Sequence, residues 1–256
     1  MDHLKRVQEE FTRQADTFDA YAPLADLRVE ERFCQALKNG AGVVLDLACG
    51  PGVVSAAVAG IADSVLAFDA TPAMLDKARQ RCADAGLRNV TFQQGDAAAL
   101  PFDANAFDSV VTRLAIHHFD DPSRVLTELF RVLRPGGRLV IADVLVSEDV
   151  VEAELQNAIE NLRDPSHVRM LPLSELNALV TSSGFAISEQ SIWDKDRQFE
   201  EWMGIANESQ RTQSLRTVAR TIAAAGHTAG MGLSIVDGKL VFFHRWALTV
   251  ALKPLA

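Results

Sequence analysis

The stretch VVLDLACGPGVV, residues 43–54, joins an apolar run, Val43-Val44-Leu45, to a carboxylate, Asp46, and then to a turn built on Gly50 and Gly52. A strand that ends in such a turn and opens into a helix brings backbone amides close to a nucleotide. Working outward, four more strand-like runs follow: SVLAFDA (64–70), NVTFQQG (89–95), FDSVVTRLA (107–115) and GRLVIADVLV (137–146). Several are almost wholly apolar, as strands are when helices cover both faces of a parallel sheet.

The punctuation between these runs predicts helices. Thr71-Pro72 and Asp121-Pro122 each offer an N-cap residue followed by proline at the first helical position, and Gly86 and Gly136 stand where the helices 72–85 and 122–134 should stop. Upstream, Leu4, Val7, Phe11, Ala15 and Phe18 recur at helical spacing and place one apolar stripe along an N-terminal helix. Beyond Val146 the pattern predicts a helix near 151–162, a polar loop RDPSHVRMLP (163–172), a helix from Ser174 and a strand near FAISEQSIW (185–193). Residues 195–230 read as helical, and KLVFFHRWALTVAL (239–252) as a long final strand.

The 256 residues carry 25 Lys plus Arg against 34 Asp plus Glu, a net charge of −9, with no long basic block. A nucleic-acid partner needs a basic face, so none is expected. Cys34, Cys49 and Cys82 are widely spaced and odd in number, which suggests neither a disulfide framework nor a zinc site. The opening MDHLKRVQEEFTRQ has no apolar leader core, and no apolar run reaches the roughly 18–20 residues of a membrane span. A cytoplasmic protein without a membrane partner is the expectation; oligomeric state is not legible.

Three nucleotide readings compete for the glycine turn. Gly50-Pro51-Gly52-Val53-Val54-Ser55 nearly matches the dinucleotide fingerprint, with Asp69 at about the right distance for a ribose, which would make the chain an NAD(P)-dependent oxidoreductase. Asp46 opposes this, because a carboxylate ahead of the loop repels a pyrophosphate and suits a ligand carrying ammonium and sulfonium charges. A P-loop fails for want of Gly-Lys-Ser/Thr.

Taken in order, VLDLACGPG, AFDATPAMLDKAR, FQQGDAAALPF and FDSVVTRLAIHHFDDP…VLRPGGRLVIADV resemble the successive motifs of the class I S-adenosylmethionine-dependent methyltransferases. The resemblance runs from Val43 to about Val146 and is nearest to the small-molecule branch of ubiquinone and menaquinone C-methyltransferases, where HHF and LRPGG both occur. It implies a Rossmann-like, doubly wound α/β fold: a mostly parallel seven-stranded sheet with an antiparallel last strand and helical caps. One methyltransferase domain, 1–256, would divide into a helical cap (1–40), a cofactor-binding core (41–147) and a substrate-side half (148–256) with a helical insertion at about 195–230.

For S-adenosylmethionine the resemblance implies Asp46 and the amides around Gly50 at the methionine portion, and Asp69 on both ribose hydroxyls. Asp96 would accept from the adenine amino group beside Ala97, and Arg113 and Leu114 would line the methionine side. Ala48, Gly52, Ala70, Met74 and Gly95 complete the set, with Ala48 where glycine is usual. Phe18 stands where a cap tyrosine is common, and Tyr21 is its substitute. Asp69 and Asp96 taken singly are equally well read as turn carboxylates.

Methyl transfer is an in-line displacement that asks mainly for positioning, plus a base where the acceptor loses a proton. His117 and His118, at the edge where ligands of open parallel sheets gather, either face the acceptor or bond the following turn. Arg163, Asp164, His167 and Arg169 fall in a loop that would roof the site. Phe199, Trp202 and Met203 would wall an aromatic acceptor, and His244-Arg245-Trp246 reads as structural. TRLAIHH offers no oxygen ligands for a metal, and motifs of nucleobase or protein-arginine methylation are missing. The expected function is methylation of a small, aromatic or apolar molecule; a non-catalytic sensor of the same cofactor is the rival.

Overall fold

The computed structural model describes residues 3–25, 27–38, 40–206 and 210–255; for residues 18–25, 27–28 and 210–211 it describes the backbone alone. Five strands, β1 (Val43–Leu47), β2 (Ser64–Asp69), β3 (Val90–Gln94), β4 (Phe107–Arg113) and β5 (Leu133–Leu145), run parallel in the order 3-2-1-4-5. Between them come α3 (Val53–Ala59), α4 (Pro72–Asp84) and α5 (Pro122–Val132), preceded by α1 (His3–Ala25) and α2 (Leu27–Leu37). One apolar core on each face explains the lack of alternation in sequence: Leu45, Leu47 and Leu139 are buried on one side, Val44, Val111 and Val140 on the other. On the second face α2 buries Val29, Phe33 and Leu37, one residue per turn.

The remaining elements are α6 (Val150–Arg163), α7 (Leu173–Ser182), β6 (Ala186–Gln198), α8 (Phe199–Met203), α9 (Gln210–Ala224), β7 (Ser234–Val236) and β8 (Lys239–Leu252). β8 lies antiparallel between β5 and β6. The sheet therefore has the expected mostly parallel build, with eight described strands rather than seven. The addition, β7, folds back on β8 through Asp237-Gly238, both with positive φ, a hairpin turn whose Asp-Gly signal was present in the sequence.

Two further boundaries differ from the sequence reading. Residues 195–198 continue β6 instead of opening a helix; Trp193, Lys195 and Arg197 turn inward while Asp194, Asp196 and Gln198 are exposed, a two-residue period masked by charged side chains. Helix α5 stops at Val132, before Gly136, because Pro135 forces Arg134 out of helical geometry.

The order reverses between β1 and β4, so a crevice opens at their C-terminal ends. The turn after β1 shapes it: Ala48 (φ 52°), Gly50 (φ 51°) and Gly52 (φ 76°) all take the left-handed conformation. Gly52 serves packing, since a Cβ there would stand 2.8 Å from the Ala78 Cβ and 2.9 Å from its Cα on α4. Gly52→Ala should cost about 2–4 kcal/mol of stability, strain and overpacking together; urea unfolding measures it, and a loss under 1 kcal/mol would refute the packing role.

Candidate active site

Two cavities open at the C-terminal edge of the sheet. The first, about 360 Å³, brings together Asp46, Ala48, Gly50, Asp69, Ala70, Met74, Gly95, Asp96, Ala97, Arg113 and Leu114. Of the expected cofactor residues, Gly52 is not in this wall, being turned to α4, and Phe18 lies outside the residues whose side chains are described. The apolar stripe of α1 roofs the cavity through Leu4, Val7 and Phe11. Phe11 was legible as an apolar position, not as a site residue.

Asp69 ends β2, with its carboxylate accepting from the Gly50 amide (2.9 Å) and the Thr71 amide (2.8 Å). The same two bonds tie the glycine turn to the second strand, so the group facing the cavity is held at fixed orientation. Asp96 bonds the Ala98 amide (2.9 Å), a turn role that coexists with its place in the wall. Asp46 is buried against the Ser55 hydroxyl (2.5 Å). Burial pushes its carboxyl up to about 7, against the pull of Ser55 and of the Arg113 charge.

The second cavity, about 450 Å³, lies toward β8 and is lined by His117, His118, Arg163, His167 and Trp202 among others. It shares Phe11, Arg113, Leu114 and His118 with the first, so the two meet at the end of β4. Arg169 is not in it: both its terminal nitrogens bond the Glu175 carboxylate on the exposed side of the loop. Phe199 and Met203 pack in the core beneath. His244 and Trp246, read as structural, line this cavity, whereas Arg245 pairs outward with Asp194 (2.8 Å). Tyr21 lies outside the residues whose side chains are described.

Four histidines converge there. His117 Nδ1 meets Asp143 Oδ1 at 2.5 Å, and Asp143 also accepts the Ile116 amide (2.8 Å) and its neighbour's, Val144 (2.7 Å). Burial opposes a charge on His117, but Asp143 outweighs it and the ring's pKa is raised. His118 Nδ1–H donates to the Ser166 carbonyl (3.0 Å), which leaves its lone pair on Nε2 while the ring is neutral. Burial, with the charge of His117, pushes His118 down to about 4. His167 donates to Asn157 Oδ1 (3.2 Å), and burial pushes it down to about 3. His244 donates to Glu160 (3.0 Å), and burial pushes its pKa down against the pull of that carboxylate.

Asp143 and Glu160 were missed in sequence because each lies on a regular element far along the chain from its histidine, and Asn157, ten residues from His167, because it sits on α6 while His167 lies in the loop that folds back on it. Among the described residues no group of three or more His, Cys, Asp or Glu is placed to hold a metal ion. No described helix is long and apolar enough to cross a membrane.

Two neutral buried histidines carry a pH signature. Unfolded, each ring takes up a proton near pH 6.5; folded, His118 waits until about 4 and His167 until about 3. Each ring should make stability fall as pH drops from 6.5 toward 4, by roughly 1.4 kcal/mol per pH unit, while Asp46, whose folded carboxyl takes up its proton near pH 7, contributes an opposite slope of similar size. The raised pKa of His117 adds no slope in that window, because the ring is protonated in both states. Urea unfolding of the wild type and of His118→Asn at pH 6.5 and pH 5 isolates one ring; an equal pH slope in both would contradict the burial of His118.

A crevice at the reversal of a 3-2-1-4-5 sheet, a carboxylate at the end of β2 and a second cavity joined to the first make up the candidate site. A methyltransferase-domain model matches residues 45–141. YcgJ of Bacillus subtilis, described as an uncharacterized methyltransferase, is 36% identical over 160 residues, 62% of this chain and 63% of YcgJ. Its crystal structure superposes with a TM-score of 0.83 at 28% identity, covering 90% of this chain and 100% of that one. A Bacillus halodurans chain, provisionally called a methyltransferase, gives a TM-score of 0.82 at 30% identity over 88% of this chain and 98% of its own. The demethylmenaquinone methyltransferase of Clavibacter sepedonicus is 43% identical over 100 residues, 39% of this chain and 40% of the relative. By sequence the chain thus spans less than two thirds of the length of YcgJ. It belongs to the class I S-adenosylmethionine-dependent methyltransferases.

Proposed function

We propose that this chain transfers a methyl group from S-adenosylmethionine, held in the first cavity, to a small-molecule acceptor held in the second. The observation that carries this reading is the shared wall of Phe11, Arg113, Leu114 and His118, which makes the two cavities neighbours across one opening. The polar groups fit the cofactor: Asp69 accepts from vicinal hydroxyls, Asp96 beside Ala97 accepts from an adenine edge, and Asp46 suits positive charge. When bound, S-adenosylmethionine supplies the activated methyl group. The chain's own part is to orient both partners, exclude water through α1, and hold His118 neutral beside the junction. A weak base suffices there, because an oxygen or ring carbon that has just been methylated carries a strongly acidic proton. Three unpaired cysteines suit the reducing cytoplasm in which we place the protein.

Methyl-labelled S-adenosylmethionine, incubated with the protein and a cell extract, should label the small-molecule fraction. Label confined to protein or nucleic acid would overturn the acceptor class.

Asp46 links cofactor binding to pH. With its carboxyl at about 7 in the free protein, the positive charges of S-adenosylmethionine favour the ionised form. Affinity should rise between pH 6 and 8, then level off, and Asp46→Asn should flatten the profile. Calorimetric titration checks both; a flat wild-type profile would remove Asp46 from the cofactor's charge balance.

A further inference from the structure

The inward row of β6 has no assigned role in the methyl-transfer reading. Trp193, Lys195 and Arg197 stand opposite Trp246, His244 and Phe242 of β8, and both cations line the second cavity. Arg197 is the informative one. Its Nε is buried without a hydrogen-bond partner among the described residues, and burial together with the nearby Arg163 charge pushes its pKa down. The indole N–H of Trp246, in the same wall, is likewise buried and unpartnered. A buried donor left unmade costs free energy, and a guanidinium more than a neutral group, so a wall with both is built for an acceptor atom brought by a ligand.

The inward-facing charges define that ligand further. Arg163, Lys195 and Arg197 face Glu160 and Asp164, which leaves one positive charge in excess, three against two, the charge on His117 being matched by its partner Asp143. Both acids are engaged: Glu160 accepts from His244 (3.0 Å), and Asp164 from the Ser166 amide (2.9 Å) and hydroxyl (2.6 Å). Asp196 and Glu201 sit at the exposed rim, where solvent screens them. The Arg113 charge acts on Asp46 and Glu30 on the other side of the junction.

The geometry points to a methyl acceptor that is a monocarboxylic acid, its carboxylate bound by Arg197 on β6 and its apolar body along Trp202 and Trp246, reaching toward His118. This rests on the methyl-transfer reading and adds the acceptor's charge to it. A dianion is disfavoured by the two buried carboxylates, and a neutral carbonyl, although it could accept from Arg197 Nε, leaves the buried guanidinium charge uncompensated.

Calorimetry separates the two readings. S-Adenosylhomocysteine is titrated first, and its failure to bind overturns the methyl-transfer reading before any acid is added. The protein, with and without S-adenosylhomocysteine, is then titrated with benzoate, cinnamate and octanoate, with their primary amides, and with phenyl phosphate. At least one acid should bind roughly 10- to 100-fold more tightly than its amide, the worth of a charge-assisted bond. Arg197→Gln should erase that preference, and Arg197→Lys should retain part of it, with S-adenosylhomocysteine affinity unchanged in both. The assignment is overturned if no acid binds, if acid and amide bind alike, if phenyl phosphate outcompetes every carboxylate, or if the preference survives Arg197→Gln.

Discussion

Replacing His118 by asparagine is expected to lower turnover by about 10²–10⁴-fold, the range for loss of a positioned general base. Asparagine is the informative choice. Its amide N–H₂ can still donate to the Ser166 carbonyl, which His118 Nδ1 now bonds at 3.0 Å, so the local fold is kept while the lone pair on Nε2 is lost. The His117 ring, paired with Asp143 at 2.5 Å, is already claimed by a proton and lines only the second cavity. His117→Ala should therefore act mainly through acceptor binding and ring positioning, with a smaller loss in kcat than in kcat/KM. Wild-type turnover in His118→Asn, measured on the acceptor found by labelling, would show that no base acts at the junction.

Asp69→Ala is expected to weaken S-adenosylhomocysteine binding by about 100-fold, roughly 3 kcal/mol, as two charge-assisted bonds to ribose hydroxyls are lost. Part of the effect reaches the glycine turn, because the Gly50 amide (2.9 Å) and the Thr71 amide (2.8 Å) lose their shared acceptor. Circular dichroism and urea unfolding report that local cost separately from calorimetric affinity. Unchanged affinity in a folded variant would remove Asp69 from the ribose site.

The lining of the first cavity was legible for a physical reason. Between Val43 and Val146 the wall is made of strand ends and the turns that follow them, so residues close in sequence, such as Asp46 to Gly50 or Gly95 to Ala97, are close in space. Gly52 was misplaced because a glycine required by packing against α4 looks, in sequence, like one required by a ligand. The acceptor side obeys no such locality. Asp143 reaches from β5 to His117 in the turn after β4, Glu160 reaches His244 from a helix to the last strand, and Arg197 faces the cavity from an edge strand whose charges disguised its period. Arg169 shows the converse error: an arginine in a functional loop, spent on a surface pair with Glu175.

The interleaving of β8 between β5 and β6 governs the timing of assembly on the ribosome. The first five strands and their helices are synthesised consecutively, and each finds a neighbour soon after it emerges. The edge strand β6 emerges while its partner is still unmade, and waits through the synthesis of residues 199–238 for β8. A nascent chain can thus close the nucleotide half early, whereas the wall bearing Lys195 and Arg197 forms last, when the final strand slides between its two neighbours. Until that last strand arrives the second cavity lacks half its wall, while every residue lining the first has already been made.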